Sequence, residues 1–187
     1  MVQKFILNFF IIGHENMAKS KSDISNSAIR IFLQLVGKFY DEVRGFEKFV
    51  PTKSQKKELL ESFNYQCCYC GRELNVNKFS QDHLIPLNKN DLGLHAWGNV
   101  VPSCNSCNNE KQLHEWQEFI KGKASIRDYK NRKAKIIKFV KAKNYNPNLN
   151  LHEIAGNLYQ DVGEVAITLI NLRYKQAEEA IKILLKV

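Results

Sequence analysis

Five cysteines fall in two tight groups: Cys67, Cys68 and Cys70 within YQCCYCGR, and Cys104 and Cys107 within SCNSCNN. Each group contains a C-x-x-C pair, Cys67/Cys70 and Cys104/Cys107, and such a pair sets two sulfurs on one knuckle turn. Four soft thiolates in tetrahedral array suit zinc. An odd number of cysteines confined to two knots does not resemble the scattered framework of a disulfide-stapled secreted domain. A redox C-x-x-C would need a βαβ setting that is absent here, and it would leave the second pair unexplained. Cys68 could enter only through a C-x-C pair and reads as a bystander. Four thiolates leave zinc no open coordination position, so this site holds structure, and the chemistry must lie elsewhere.

The 33 residues between the pairs, 71 to 103, include SQDHLIPLN and GNVV. Asp82 and His83 sit side by side on an expected strand, Lys78 to Pro86, so their side chains leave opposite faces. A bend near Pro86 would let both serve one site. A lone histidine on a strand is usually packed or capped. An Asp-His step inside a metal-stapled frame, with Asn108 downstream, is a stronger signal.

These pieces together resemble the HNH, or ββα-metal, nucleases. The likeness covers Tyr65 to Lys111, in C-x-x-C-G at Cys67 to Gly71, D-H-L-I-P-L at Asp82 to Leu87, G-N-V-V-P at Gly98 to Pro102 and C-N-S-C-N-x-x-K at Cys104 to Lys111. The resemblance implies an α+β fold: a small zinc-stapled ββα-metal core flanked by N-terminal and C-terminal α-helices. It implies that His83 is the general base activating water, that Asp82 and Asn108 bind a catalytic divalent ion, Mg²⁺ or Mn²⁺, and that Asn99 orients the histidine-bearing loop. An imidazole, neutral near pH 7, suits the first task, and oxygen donors suit the second. The final family position is His or Asn; here it is Asn108, which leaves the metal preference open. Lys111 is either a phosphate contact or a plain surface lysine. His95, in the loop, could touch substrate, and His114 falls on an expected helix; neither is expected to act directly in catalysis.

The elements that must position these residues follow from periodicity. Ile29, Phe32, Leu33, Val36, Phe39, Tyr40 and Val43 recur at helical steps from Asn26 until Pro51 ends the run. Thr52 or Ser54 caps a second helix reaching about Phe63. The segment 88–99 reads as loop. One helix starting near Asn105 is expected to carry Lys111, Trp116 and Phe119 up to Gly122. A basic helix follows, with Ile126, Tyr129, Ile136, Ile137, Phe139 and Val140 on its buried side. NYNPNLN is a linker, and an amphipathic helix begins near Val162. Residues 1–16 are an N-terminal extension of uncertain status or a short buried strand, 17–64 a helical region, 65–120 the nuclease core, and 121–187 a basic and amphipathic helical region.

The formal charge is +9. Residues 121–143 hold ten Lys or Arg against one Asp, so this segment carries the whole excess. It is either a solvated helix face or a phosphate-tracking one, with Lys130, Arg132 and Lys133 facing nucleic acid. Nothing in the flanks reads bases, since backbone contacts position without specifying. The expected partner is DNA, with no membrane span. A homodimer would be needed if both strands are cut together. A cytoplasmic restriction, defence or mobile-element nuclease is the expectation. A zinc-bound nucleic-acid-binding module and an RNA-directed nuclease remain the alternatives.

Overall fold

A computed structural model describes residues 2–149, 151–155 and 158–185. In chain order these form α1 (Val2–Val43), α2 (Lys53–Ser62), β1 (Ser80–His83), β2 (Val100–Ser103), α3 (Asn105–Lys111), α4 (Trp116–Lys123), α5 (Ile126–Ala142), α6 (Leu151–Ala155) and α7 (Leu158–Leu185). The chain divides into two compact units: residues 33–151, and residues 1–32 together with 152–187.

Within residues 33–151, β1 and β2 form an antiparallel hairpin in which Asp82 faces Val101 and His83 faces Val100. With α3 directly after β2, the order is ββα, and the fold class is the α+β one expected from the motifs. The core is built from Phe49, Leu59, Leu60, Phe63, Tyr69, Trp97, Val100, Val101, Ile120, Ile136 and the knuckle cysteines. Burial of these apolar side chains is the main stabilising term of the unit.

Several sequence expectations shift by a few residues, each for a local reason. Residues 2–16 are helical and open α1, so they form no strand. That helix stops at Val43, ahead of Gly45 at φ +77 and well before Pro51. Its buried line also differs from the apolar pattern. Ile29, Leu33, Gly37 and Asp41 are enclosed, whereas Phe39 and Val43 stand in solvent. The α2 cap is Thr52, whose hydroxyl accepts from the Gln55 N–H. The single helix expected after Asn105 is two, α3 and α4, because Gln112 takes φ +44 and the chain turns before Glu115 caps α4. His114 therefore lies in an exposed connection and on no helix. On α5, Ile136 and Phe139 are buried, but Ile126 is exposed at the first turn.

In the other unit, α1 and α7 approach closely. A side-chain carbon on Gly163 would come within 2.3 Å of the Ser25 hydroxyl, which would have to rotate away to admit it.

Candidate active site

The structural half of the site is closed by sulfur. The Sγ atoms of Cys67, Cys70, Cys104 and Cys107 all lie within 4.8 Å of one another. A tetrahedral zinc with Zn–S bonds of about 2.3 Å requires sulfurs about 3.8 Å apart, and Cys70 and Cys104 stand 3.7 Å apart. The four thiols therefore fit one zinc ion. The first knuckle turns at Gly71, which adopts φ +75 and donates its N–H to the Cys67 carbonyl at 2.9 Å. The Cys68 N–H donates to the Pro102 carbonyl, tying the knuckle to β2. Cys68 itself stays outside the sulfur cluster, and burial pushes its thiol well above the ordinary range, as a neutral core side chain.

The second half is held by hydrogen bonds. Asp82 sits buried on β1, and its two carboxylate oxygens are separately engaged. The Tyr69 hydroxyl donates to Oδ2 at 2.6 Å, and the His83 backbone N–H donates to Oδ1 at 2.8 Å. Lys111 approaches the same Oδ2 at 3.6 Å, while its ammonium donates to the His83 carbonyl at 2.8 Å. Burial pushes the Asp82 carboxyl above its ordinary value, opposed chiefly by the Lys111 charge and the Tyr69 hydrogen bond.

Lys111 is thus neither a surface lysine nor turned outward. Its side chain is 0% exposed. An ammonium this enclosed is tolerated only where a carboxylate and a carbonyl receive it. It comes from the last turn of α3 and clamps both residues of the Asp82-His83 step from below. The C-N-S-C-N-x-x-K spacing placed it correctly in sequence, but its burial left no compositional trace.

Asn99 is fully buried and makes three bonds across the loop. Its Oδ1 accepts from the Ile85 N–H at 2.8 Å, and its Nδ2 donates to the carbonyls of Ile85 and Leu94 at 3.0 and 2.8 Å. The backbone adds a further tie, from the Leu84 N–H to the Asn99 carbonyl. The chain that leaves His83 is therefore stitched to the chain that enters β2. Asn108 lies half-buried in α3, one residue beyond Cys107, and α3 packs on β1.

Sequence reasoning gave His95 no more than a substrate contact. In the folded chain its Nδ1 lies 3.0 Å from His83 Nε2. The basic residues of α5 divide: Lys130 is exposed, Lys133 lies along the Tyr129 ring, and Arg132 turns onto the first cysteine knuckle, toward the Cys67 carbonyl. The Arg132 guanidinium fills the space where a side chain on Gly71 would stand.

A hairpin and helix joined by a cysteine cluster that fits zinc, with a histidine at the hairpin's loop end and a carboxylate beside it, match the ββα-metal kind of site. Residues 67–123, less than a third of the chain, match the family model of the HNH endonucleases. This segment is an HNH endonuclease domain, and the chain is a nuclease, a hydrolase of phosphodiesters in nucleic acid. No curated protein matches the chain. Among the described residues, no helix is long and apolar enough to cross a membrane.

Proposed function

We propose that the protein is a divalent-metal-dependent DNA endonuclease of a restriction, defence or mobile-element system. The observation that carries this reading is the Asp82-His83 step at the end of β1, fixed by Tyr69, Lys111 and Asn99 beside the sulfur cluster. His83 takes a proton from the attacking water as its oxygen bonds to phosphorus, and the bond to the 3′ oxygen breaks, leaving a 5′-phosphate. Asp82 and Asn108 would hold Mg²⁺ or Mn²⁺. The donor set fits, because a carboxylate with lone pairs beyond those that Tyr69 and the His83 N–H use, plus an amide oxygen, is the hard-oxygen set such ions take. When bound, the ion neutralises charge on the phosphoryl oxygens and on the departing oxygen. Lys130 and Lys133 on α5 supply sequence-independent attraction to the backbone. Each chain carries one such site, so both strands of a duplex are cut by two copies or in two encounters.

The test is cleavage of supercoiled plasmid with Mg²⁺ or Mn²⁺, with and without EDTA, comparing wild type with His83→Ala. Wild type should nick or linearise the plasmid, and the variant should lose about 10²- to 10⁴-fold in rate while keeping its zinc. Intact plasmid, linear duplex and single strands under both metals would falsify the DNA-cutting reading. Cleavage of RNA alone would keep the hydrolase and change its substrate.

A further inference from the structure

Beyond the Asp82-His83 step the chain becomes one wall of a groove. Leu84, Ile85 and Pro86, the three residues that follow His83, line a cavity of about 520 Å³, a size typical of small-molecule sites. Helix α5 contributes Ile137 and Val140, and Trp116 and Tyr145 add two aromatic residues.

These walls are fixed before anything enters. Asn99 holds Ile85 by both its N–H and its carbonyl, and the Gly93 N–H donates to the Pro86 carbonyl at 2.9 Å. Behind the loop, α1 lies flush at Gly37, where a side-chain carbon would fall 2.5 Å from the His95 carbonyl oxygen. Asp41 accepts from the Trp97 and Phe49 N–H groups and pairs with Arg44 at 2.6 Å. Tyr145 meets Tyr40 edge to face, with ring centroids 5.7 Å apart, and packs over Gly98. A preformed aromatic wall binds with little ordering cost.

The polar groups along the groove fall into two sets. The carboxylates are engaged: Glu115 accepts from the Gln117 and Glu118 N–H groups, and Asp91 accepts from the Asn88 amide. The Trp116 indole N–H and the Gln117 side-chain amide have no hydrogen-bond partner among the described residues, and neither is sealed from solvent. Lys141 is exposed and forms no ion pair among the described residues. Apolar and aromatic walls, free hydrogen-bonding groups and a cation together complement a nucleobase on its phosphodiester. A protein partner is the other occupant such a groove could take. Continuity with His83 favours the strand, because the nucleic acid being cut must already run past that residue.

We propose that this groove takes one unstacked base of the strand being cut, so that the substrate is single-stranded or locally unpaired nucleic acid. A base in continuous duplex would reach the groove only by leaving its pair, a cost that is least where the base is mismatched or unpaired. The proposal rests on the Asp82-His83 step being the point of cleavage.

The experiment titrates full-length His83→Ala, which should bind without cutting, with a single strand of about twelve thymidines. The same length of abasic backbone and a fully paired duplex are the comparisons. Tryptophan emission reports the groove, because Trp97, the other tryptophan, is 2% exposed. The thymidine strand should quench emission and bind at least about tenfold tighter than the abasic strand. The duplex should leave emission unchanged. Adding Trp116→Leu should remove the quench and lower thymidine-strand affinity by about ten- to a hundredfold, while abasic affinity and zinc content stay the same. Wild type with Mg²⁺ or Mn²⁺ should cut a duplex with a central unpaired stretch about tenfold faster than the fully paired one.

Equal affinity for thymidine and abasic strands, an equal loss for both on Trp116→Leu, or quenching by paired duplex as strong as by single strand would each overturn the proposal. The first result would leave the groove to a protein partner. Should Trp116→Leu shed its zinc, Trp116→Phe replaces it. That variant keeps a ring, so it should hold thymidine-strand affinity within about threefold, and a tenfold loss for both strands would overturn the proposal. Failure of the nuclease reading looks different: no nucleic acid binds, or wild type cuts neither strand nor duplex, and the proposal falls with it.

Discussion

The sulfur cluster and the Asp82-His83 step lie at opposite ends of one small hairpin, yet they are held in opposite ways. Four cysteines from two short segments make a closed cluster of a size that fits one metal ion. The Asp82-His83 step is ordered by hydrogen bonds drawn from widely separated places: Tyr69 in the knuckle, Lys111 at the end of α3, Asn99 before β2 and His95 in the loop. A metal-closed site fails all at once. A hydrogen-bonded one fails by degrees, because each buried donor or acceptor carries its own desolvation cost.

Perturbations should separate the two. The largest effect is expected from Cys104→Ala or from stripping zinc with a strong chelator. Structural zinc in small domains is worth about 10–16 kcal/mol, so bound zinc should fall from one per chain to none, with loss of the cooperative unfolding transition. Melting followed by circular dichroism, beside metal analysis, reads both. A smaller effect belongs to Lys111→Met, which leaves the Asp82 carboxylate enclosed without its cation. About 3–5 kcal/mol should be lost, measured by urea unfolding, and zinc should stay bound; a variant that lost zinc instead would join the two regions into one. The smallest is Cys68→Ala, which removes a buried thiol from outside the sulfur cluster. It should cost about 1 kcal/mol and leave the zinc content unaltered. A drop in zinc would make Cys68 a ligand.

What was legible in the sequence follows the same division. The four clustered cysteines, and the motif positions Asp82, His83, Asn99 and Asn108, stand at fixed offsets along the chain, and offsets are what a sequence displays. The helices followed from apolar periodicity, but α1 buries Gly37 and Asp41 on the row where aliphatic residues were expected, and it exposes Phe39 and Val43. An invisible side chain at Gly37 and a carboxylate with three partners at Asp41 carry no hydrophobic signal, though both are enclosed by the loop they shape. Lys111 was hidden for a related reason, since a lysine is charged in any list and only the fold shows that its charge is spent inside. His95 lies twelve residues from His83, and no motif spacing joins them. The break between α3 and α4 rests on one left-handed residue, Gln112, which side-chain chemistry does not favour there.

The enclosed row on α1 bears on anyone who would graft this nuclease onto another scaffold. A cut at the start of the matched segment, residue 67, would carry away all four cysteines and the histidine. It would leave behind Gly37, Asp41, Arg44 and Phe49, so the transplant would arrive with its staple intact and its loop unsupported. The portable piece is the compact unit from residue 33 to 151, more than twice as long as the segment by which it is recognised.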